Sequence, residues 1–190
     1  MRKIIILLFL FVHYQIWSEE QIYATIAHNN CNITAYYETE SGQYCVEIIN
    51  NTYNTKIKTD WMYSRPSPNG YWLNDKLFRM DFGSALAPNR YTYIYSKDLN
   101  ILSRRYDLAM VVDLNNSLIL CAEFEYTIYN IFHPEFYLTI DKPNDHIGGL
   151  LWFGTGENTF FDDKKLILEY YDENWKVKIK EYNLENKKLY

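Results

Sequence analysis

The sequence predicts an all-β protein, an antiparallel two-sheet β-sandwich, and three observations carry that reading. About a dozen short segments alternate apolar and polar residues at a spacing of about 8 to 12 residues, with turn residues between them. No segment sustains the 3.6-residue apolar period of an amphipathic helix. Nineteen Tyr stand beside only seven Gly and five Pro, a composition that suits pleated, half-buried surfaces. At 190 residues, 48% hydrophobic and 18% aromatic, the chain has the size of one domain with its own core.

Residues 1–18, MRKIIILLFLFVHYQIWS, join a basic start at Arg2 and Lys3 to an apolar run from Ile4 to Val12 and a small residue at Ser18. This is the form of a secretory signal peptide, leaving residues 19–190 as the mature domain. No later stretch reaches the ~18 apolar residues of a membrane span, so the expected location is secreted or in the lumen of the endoplasmic reticulum. Loss of Arg2 and Lys3 lowers Lys plus Arg from 19 to 17 against 24 acids, a net of −7. Nucleic acid is not an expected partner, because phosphate binding needs a basic footprint.

Three sequons, Asn32-Ile33-Thr34, Asn50-Asn51-Thr52 and Asn115-Asn116-Ser117, agree with that route and make Asn32, Asn50 and Asn115 candidate glycosylation sites. In an oxidising compartment Cys31 and Cys45 are the natural disulfide pair, near the ends of short strands joined by a turn. Cys121 is then left over, as a buried thiol, a link to a second chain, or a substitute partner for either.

The strands follow in order. Gln21–Ala27, Cys31–Glu38 and Tyr44–Asn50 alternate around the turn at 39–43, and Thr52–Tyr63 continues with Lys56, Lys58 and Asp60 on its polar side. RPSPNG, Arg65–Gly70, breaks the chain. Lys76–Gly83, Tyr91–Ser96 and Ile101–Arg105 lead to the hairpin Tyr106–Tyr129, and Glu135–Asp141 and Lys164–Tyr171 follow. Trp175, Val177 and Ile179 alternate with Lys176, Lys178 and Lys180, the pattern of a protected sheet edge. The last residues, Lys187-Lys188-Leu189-Tyr190, read as a frayed basic tail.

The hairpin carries the functional reading. A three-residue loop, Asn115–Ser117, sets Leu114 opposite Leu118 and gathers Leu108, Met110, Val112, Leu120, Ala122 and Phe124 on a core face. The opposite face then holds Asp107, Asp113, Glu123 and Glu125 among Ala109, Val111, Ile119 and Cys121. Four carboxylates without a Lys or Arg among them suit a basic protein partner. A solvated sheet face is the alternative reading of each acid taken singly.

Catalytic chemistry finds little support. His28, His133 and His146 lack the spacing of a zinc site, there is no GxSxG elbow, and Gly154-Thr155-Gly156 has no helix after it to bind phosphate. No loop has calcium spacing. No enzyme activity, cofactor or metal ion is expected.

The stretch KLFRMDFGSALAPNR, Lys76–Arg90, resembles the Leu-Arg-Met-Asn-Phe-Gly strand of the poxvirus immune evasion domain family. The order of later pieces agrees, from Ser96–Arg105 through Tyr106-Asp107-Leu108 and Leu120–Phe124 to Phe161–Leu166. Asn74-Asp75 stand where the family has two glycines, Tyr106 where it has a cysteine, and cysteines are fewer. The resemblance implies a β-sandwich that binds a host immune protein, such as a chemokine, cytokine, MHC or costimulatory molecule, through a sheet face. It places Arg79 and Asp107 at contact positions and Trp152 or Phe153 near an aromatic one. Otherwise Arg79 forms a salt bridge with Asp81 or another acid. The expectation is therefore a secreted or lumenal viral glycoprotein that sequesters a host protein. A lipocalin-like carrier of small molecules is the alternative, and a closed barrel distinguishes it.

Overall fold

The structure, a computed structural model, describes residues 20–83, 90–122, 125–140, 158–172, 174, 176–185, 187 and 189. The expected signal peptide, Glu123, Phe124, Trp152, Phe153 and the Gly154–Gly156 turn lie outside them. The fold is all-β and sandwich-like; among the described residues the antiparallel strands form four open sheets and no closed barrel. The chain divides into two compact units, Met1–Pro68 and Asn69–Tyr190, and the boundary falls in the sequence within the proline-rich break at Arg65–Gly70.

The first unit is one sheet. Strands β1 (Glu20–His28), β2 (Cys31–Glu38), β3 (Gln43–Asn50) and β4 (Thr55–Lys58) lie in that order, and β5 (Met62–Tyr63) also pairs with β3. The single strand expected over Thr52–Tyr63 is thus two short ones. Alternation on β2 and β3 buries Cys31, Ile33, Tyr44, Val46 and Ile48. On the other face Glu47 is buried under Lys56 Nζ at 2.6 Å and Lys58 Nζ at 3.4 Å, and it accepts a hydrogen bond from Tyr36 Oη at 3.3 Å. Burial works against the carboxylate, but hydrogen bonding and attraction from the two lysines outweigh it and hold the carboxyl below its ordinary value.

A carboxyl lowered in the folded state stabilises the fold above the unfolded pKa of about 4.3 and loses that contribution as pH falls through the folded value. Glu47→Gln is therefore expected to flatten the acid limb of the stability curve below about pH 4.3. Urea unfolding midpoints across that range check it, and an unchanged acid slope would count against the pairing.

The register excludes the expected disulfide. Cys31 pairs with Asn50 and Cys45 with Tyr36, so the two lie five positions apart along adjacent strands. At ~3.3 Å per residue that offset is about 16 Å, far beyond the ~7 Å limit between bridged Cα atoms. Both are buried and neither forms a disulfide; Cys45 Sγ donates to Thr59 O at 3.3 Å, and burial pushes it above its usual value.

The second unit contains three sheets. β6 (Asn69–Trp72), β7 (Leu77–Phe82), β8 (Tyr91–Ser96) and β10 (Tyr106–Asp107) form one in the order β10-β8-β7-β6, with β9 (Ile101–Leu102) also on β8. β11 (Ala109–Asp113), β12 (Leu118–Ala122), β13 (Tyr126–Asn130) and β14 (Tyr137–Ile140) form the next. β15 (Phe160–Asp162), β16 (Lys165–Tyr171) and β17 (Val177–Asn183) form the third. At Gly70 a Cβ would come within 2.8 Å of Phe78 Cζ, on a ring that is fully buried, so the close approach of β6 to β7 requires glycine.

The β11–β14 sheet is a middle layer. One face presents Leu118, Leu120, Tyr126, Ile128 and Ile140 to Leu166, Leu168, Leu184 and Leu189. The other presents Ala109, Ile119 and Cys121 to Leu77, Ile94 and Tyr106 of the β6–β10 sheet. Burial on both faces explains why β12 reads Leu-Ile-Leu-Cys-Ala without polar alternation. It also removes Cys121 as a link to a second chain, since its side chain is wholly enclosed. The tail is docked: Leu189 is buried and its carbonyl accepts from Asn130 Nδ2 at 3.2 Å.

Candidate binding surface

The long hairpin expected over Tyr106–Tyr129 is broken in two places. At Leu108 the backbone turns left-handed, with φ of 51°, and the chain leaves β10 on one sheet for β11 on the next. Past Ala122 the second arm folds back, so that Ala122 pairs with Tyr126. The hairpin register also differs. Asp113 faces Leu118 and Val112 faces Ile119, around a four-residue turn with Ser117 at positive φ, and a bulge at Met110 follows.

These changes dismantle the acidic face. Asp113 is buried, its Oδ1 accepting from Asn115 N at 2.9 Å and Asn116 N at 3.1 Å, and its Oδ2 from Asn116 Nδ2 at 2.8 Å. It caps the turn and is not available to a partner. Asp107 sits on the other sheet, partly exposed, with Arg105 Nε at 3.2 Å. Glu125 is exposed. Arg79 is buried, as the salt-bridge alternative has it: Nε donates to Asp81 Oδ2 at 2.8 Å and Oδ1 at 3.0 Å, and Nη2 reaches Ala109 O at 3.4 Å. The contact role that the resemblance implies for Arg79 is thus corrected to a structural one. Asp107 and Asp113 lie on different sheets, the first ion-paired with Arg105 and the second held by turn amides, so the argument for a basic partner falls with the register.

Of the sequons, Asn32 and Asn115 are exposed, whereas Asn50 is buried, with Oδ1 accepting from Thr52 N at 3.0 Å. A transferase does not reach Asn50 in the folded chain.

A different surface emerges beside β13 and β14. Ser103 pins the segment before it: its N–H donates to Ile94 O at 2.8 Å, and its Oγ accepts from Ile94 N at 2.9 Å. Arg104 then projects over two rings, its guanidinium carbon 4.3 Å from the Tyr129 centroid and 4.9 Å from that of Tyr106. Tyr129 lies 5.6 Å from Tyr106 and 5.9 Å from Tyr137, with which it is paired across β13 and β14. Tyr137 is 60% exposed, and Phe136 beside it is also exposed.

Burial alone would lower the pKa of Arg104, but hydrogen bonding to Tyr129 and the neighbouring phenols raise it above its ordinary value. Nearby acids are taken, Asp107 by Arg105 and Glu135 by His133 Nδ1 at 3.3 Å, and among the described residues no carboxylate forms an ion pair with Arg104. An immobilised cation between aromatic rings, next to an exposed tyrosine, is the chemistry of a protein-binding hot spot. The sequence signal was the Arg104-Arg105-Tyr106 triplet, but its meeting with Tyr129 and Tyr137 depends on a turn over 131–136 that alternation alone does not place.

Among the described residues no three His, Cys, Asp or Glu side chains converge as a metal site, and no helix is long and apolar enough to cross a membrane. No family model and no curated protein sequence matches the chain.

Proposed function

We propose that the chain is a secreted or lumenal glycoprotein that binds and sequesters a host immune protein without catalysing a reaction. The resemblance of Lys76–Arg90 to the immune evasion domain family supports the class of ligand, a chemokine, cytokine, MHC or costimulatory molecule. The location rests on one observation, the layer of Arg104, half-buried Tyr129 and exposed Tyr137. Its rings pack against one another and its guanidinium lies over Tyr106 and Tyr129, so less side-chain entropy is lost when a partner arrives. The open sheets leave the carrier reading without its barrel.

The test is binding of the purified chain to a panel of chemokines, cytokines and MHC and costimulatory ectodomains by biolayer interferometry. Arg104→Ala and Tyr137→Ala are each expected to weaken binding to the ligand found by about tenfold or more, as for hot-spot truncations. Asp113→Asn should leave it unchanged. A panel without a binder, or a binder indifferent to both truncations, overturns the reading.

A further inference from the structure

We propose that Asn69 is a site of spontaneous deamidation in the folded chain, converting to aspartate and isoaspartate at the first residue of β6. Asn69-Gly70 is the one Asn-Gly pair in the sequence. Packing prescribes the glycine, because a Cβ at position 70 would meet the buried Phe78 ring at 2.8 Å. The same requirement leaves the Gly70 nitrogen with no neighbouring side chain to shield it from the Asn69 amide.

The register frees that nitrogen. Leu73 N donates to Leu77 O at 2.8 Å, and hydrogen-bonded pairs alternate with unbonded ones along an antiparallel ladder. Tyr71 with Arg79 and Asn69 with Asp81 are then the bonded pairs, and Gly70 with Met80 is not. The Gly70 N–H points away from β7, on the side of β6 that has no strand among the described residues. Asn69 is exposed. Extended backbone holds the Gly70 nitrogen away from Cγ, so attack requires rotation about the Asn69 Cα–C bond. Asn69 opens its strand, and only its own pair with Asp81 has to fray for that rotation. Asn116, followed by the small Ser117, is held instead: its Nδ2 donates to Asp113 Oδ2 at 2.8 Å and to Asp163 O at 3.3 Å.

The chemistry needs only water. Gly70 N gives its proton to hydroxide and bonds to Asn69 Cγ; the Cγ–Nδ2 bond breaks, and ammonia leaves as a succinimide ring closes. Water then opens the ring at either carbonyl. Breaking the new bond from Gly70 N to Cγ gives aspartate, and breaking the original peptide bond gives isoaspartate, with the backbone running through Cγ. The net change is one water consumed and one ammonia released. Both products place a carboxylate opposite Asp81, a like-charge cross-strand pair. Isoaspartate also lengthens the backbone by one carbon between Asn69 and Gly70, which takes the Asn69–Asp81 pair out of register.

The test is incubation of the folded full chain at neutral and at mildly alkaline pH, followed by peptide mapping with mass spectrometry. The peptide holding Asn69 is expected to gain the mass of an amide-to-acid change before any other asparagine peptide, faster at the higher pH, and to yield both aspartate and isoaspartate. Asn69→Gln, at an exposed position, should abolish that conversion. The isoaspartyl form, separated by anion exchange, is expected to unfold at a lower urea concentration than Asn69→Asp, which keeps the backbone length. An Asn69 that stays intact while another asparagine converts, or that converts only in urea, overturns the proposal. Equal urea midpoints for the isoaspartyl form and Asn69→Asp overturn its consequence for the ladder.

Discussion

Replacing Asp81 by alanine is expected to destabilise the second unit by about 3–5 kcal/mol, the loss found when one member of a buried ion pair is removed. Arg79 and Asp81 face the β11–β14 sheet from β7 and are 9% and 17% exposed at their side chains. Asp81 Oδ1 also accepts from Thr92 Oγ1 at 2.6 Å. Arg90 lies close enough that burial and the Arg79 charge push it below its ordinary value while Asp81 pulls it back. Without Asp81 two guanidiniums confront each other in a space with little water. Urea midpoints at constant slope measure the effect. Replacing both partners, as Arg79→Met with Asp81→Leu, should recover most of it, because the cost lies in the orphaned charge. A loss below about 1 kcal/mol for Asp81→Ala would place the pair among surface bridges and reopen Arg79 as a contact residue.

Strand existence was legible where apolar and polar residues alternate, even on β3 and β7, whose polar faces are buried as well. β2, β3 and β7 lie within a residue or two of their expected spans, since Cys31-Asn32-Ile33 and Leu77–Phe82 carry their alternation openly. The hairpin misled for a physical reason. Sorting Leu108 to Leu114 onto one face assumes a sheet with a dry side and a wet side, and the β11–β14 sheet has two dry sides. With both faces covered, side-chain polarity no longer selects the register, and the Asp113 cap on the turn selects it instead. Length was the neglected signal. A strand unbroken from Leu118 to Tyr129 would span about 40 Å, roughly twice the usual strand, and the chain turns back between Ala122 and Tyr126. The Arg104 surface stayed hidden because it joins residues from three segments, which only the β13–β14 register brings together.

Tyr106 should distinguish the fold from the binding surface, since it serves both. Its ring is wholly buried against Leu77, Ile94, Ile119 and Cys121, and its hydroxyl donates to Ile131 O at 2.8 Å and Asn130 O at 3.2 Å. Burial pushes the phenol above its usual range, so it remains a donor at neutral pH. Tyr106→Ala is expected to cost about 3–5 kcal/mol by leaving a cavity between two sheets, and Tyr106→Phe about 1–3 kcal/mol by leaving buried carbonyls without their donor. The two variants part company on ligand binding. Phenylalanine keeps the ring under Arg104, so the folded Tyr106→Phe protein should bind like the wild type; alanine removes one of the two rings that hold the guanidinium and should weaken binding. Measured below the unfolding temperature of each variant, equal affinities for Tyr106→Ala and Tyr106→Phe would show that the stacked guanidinium is a brace between sheets and not a contact.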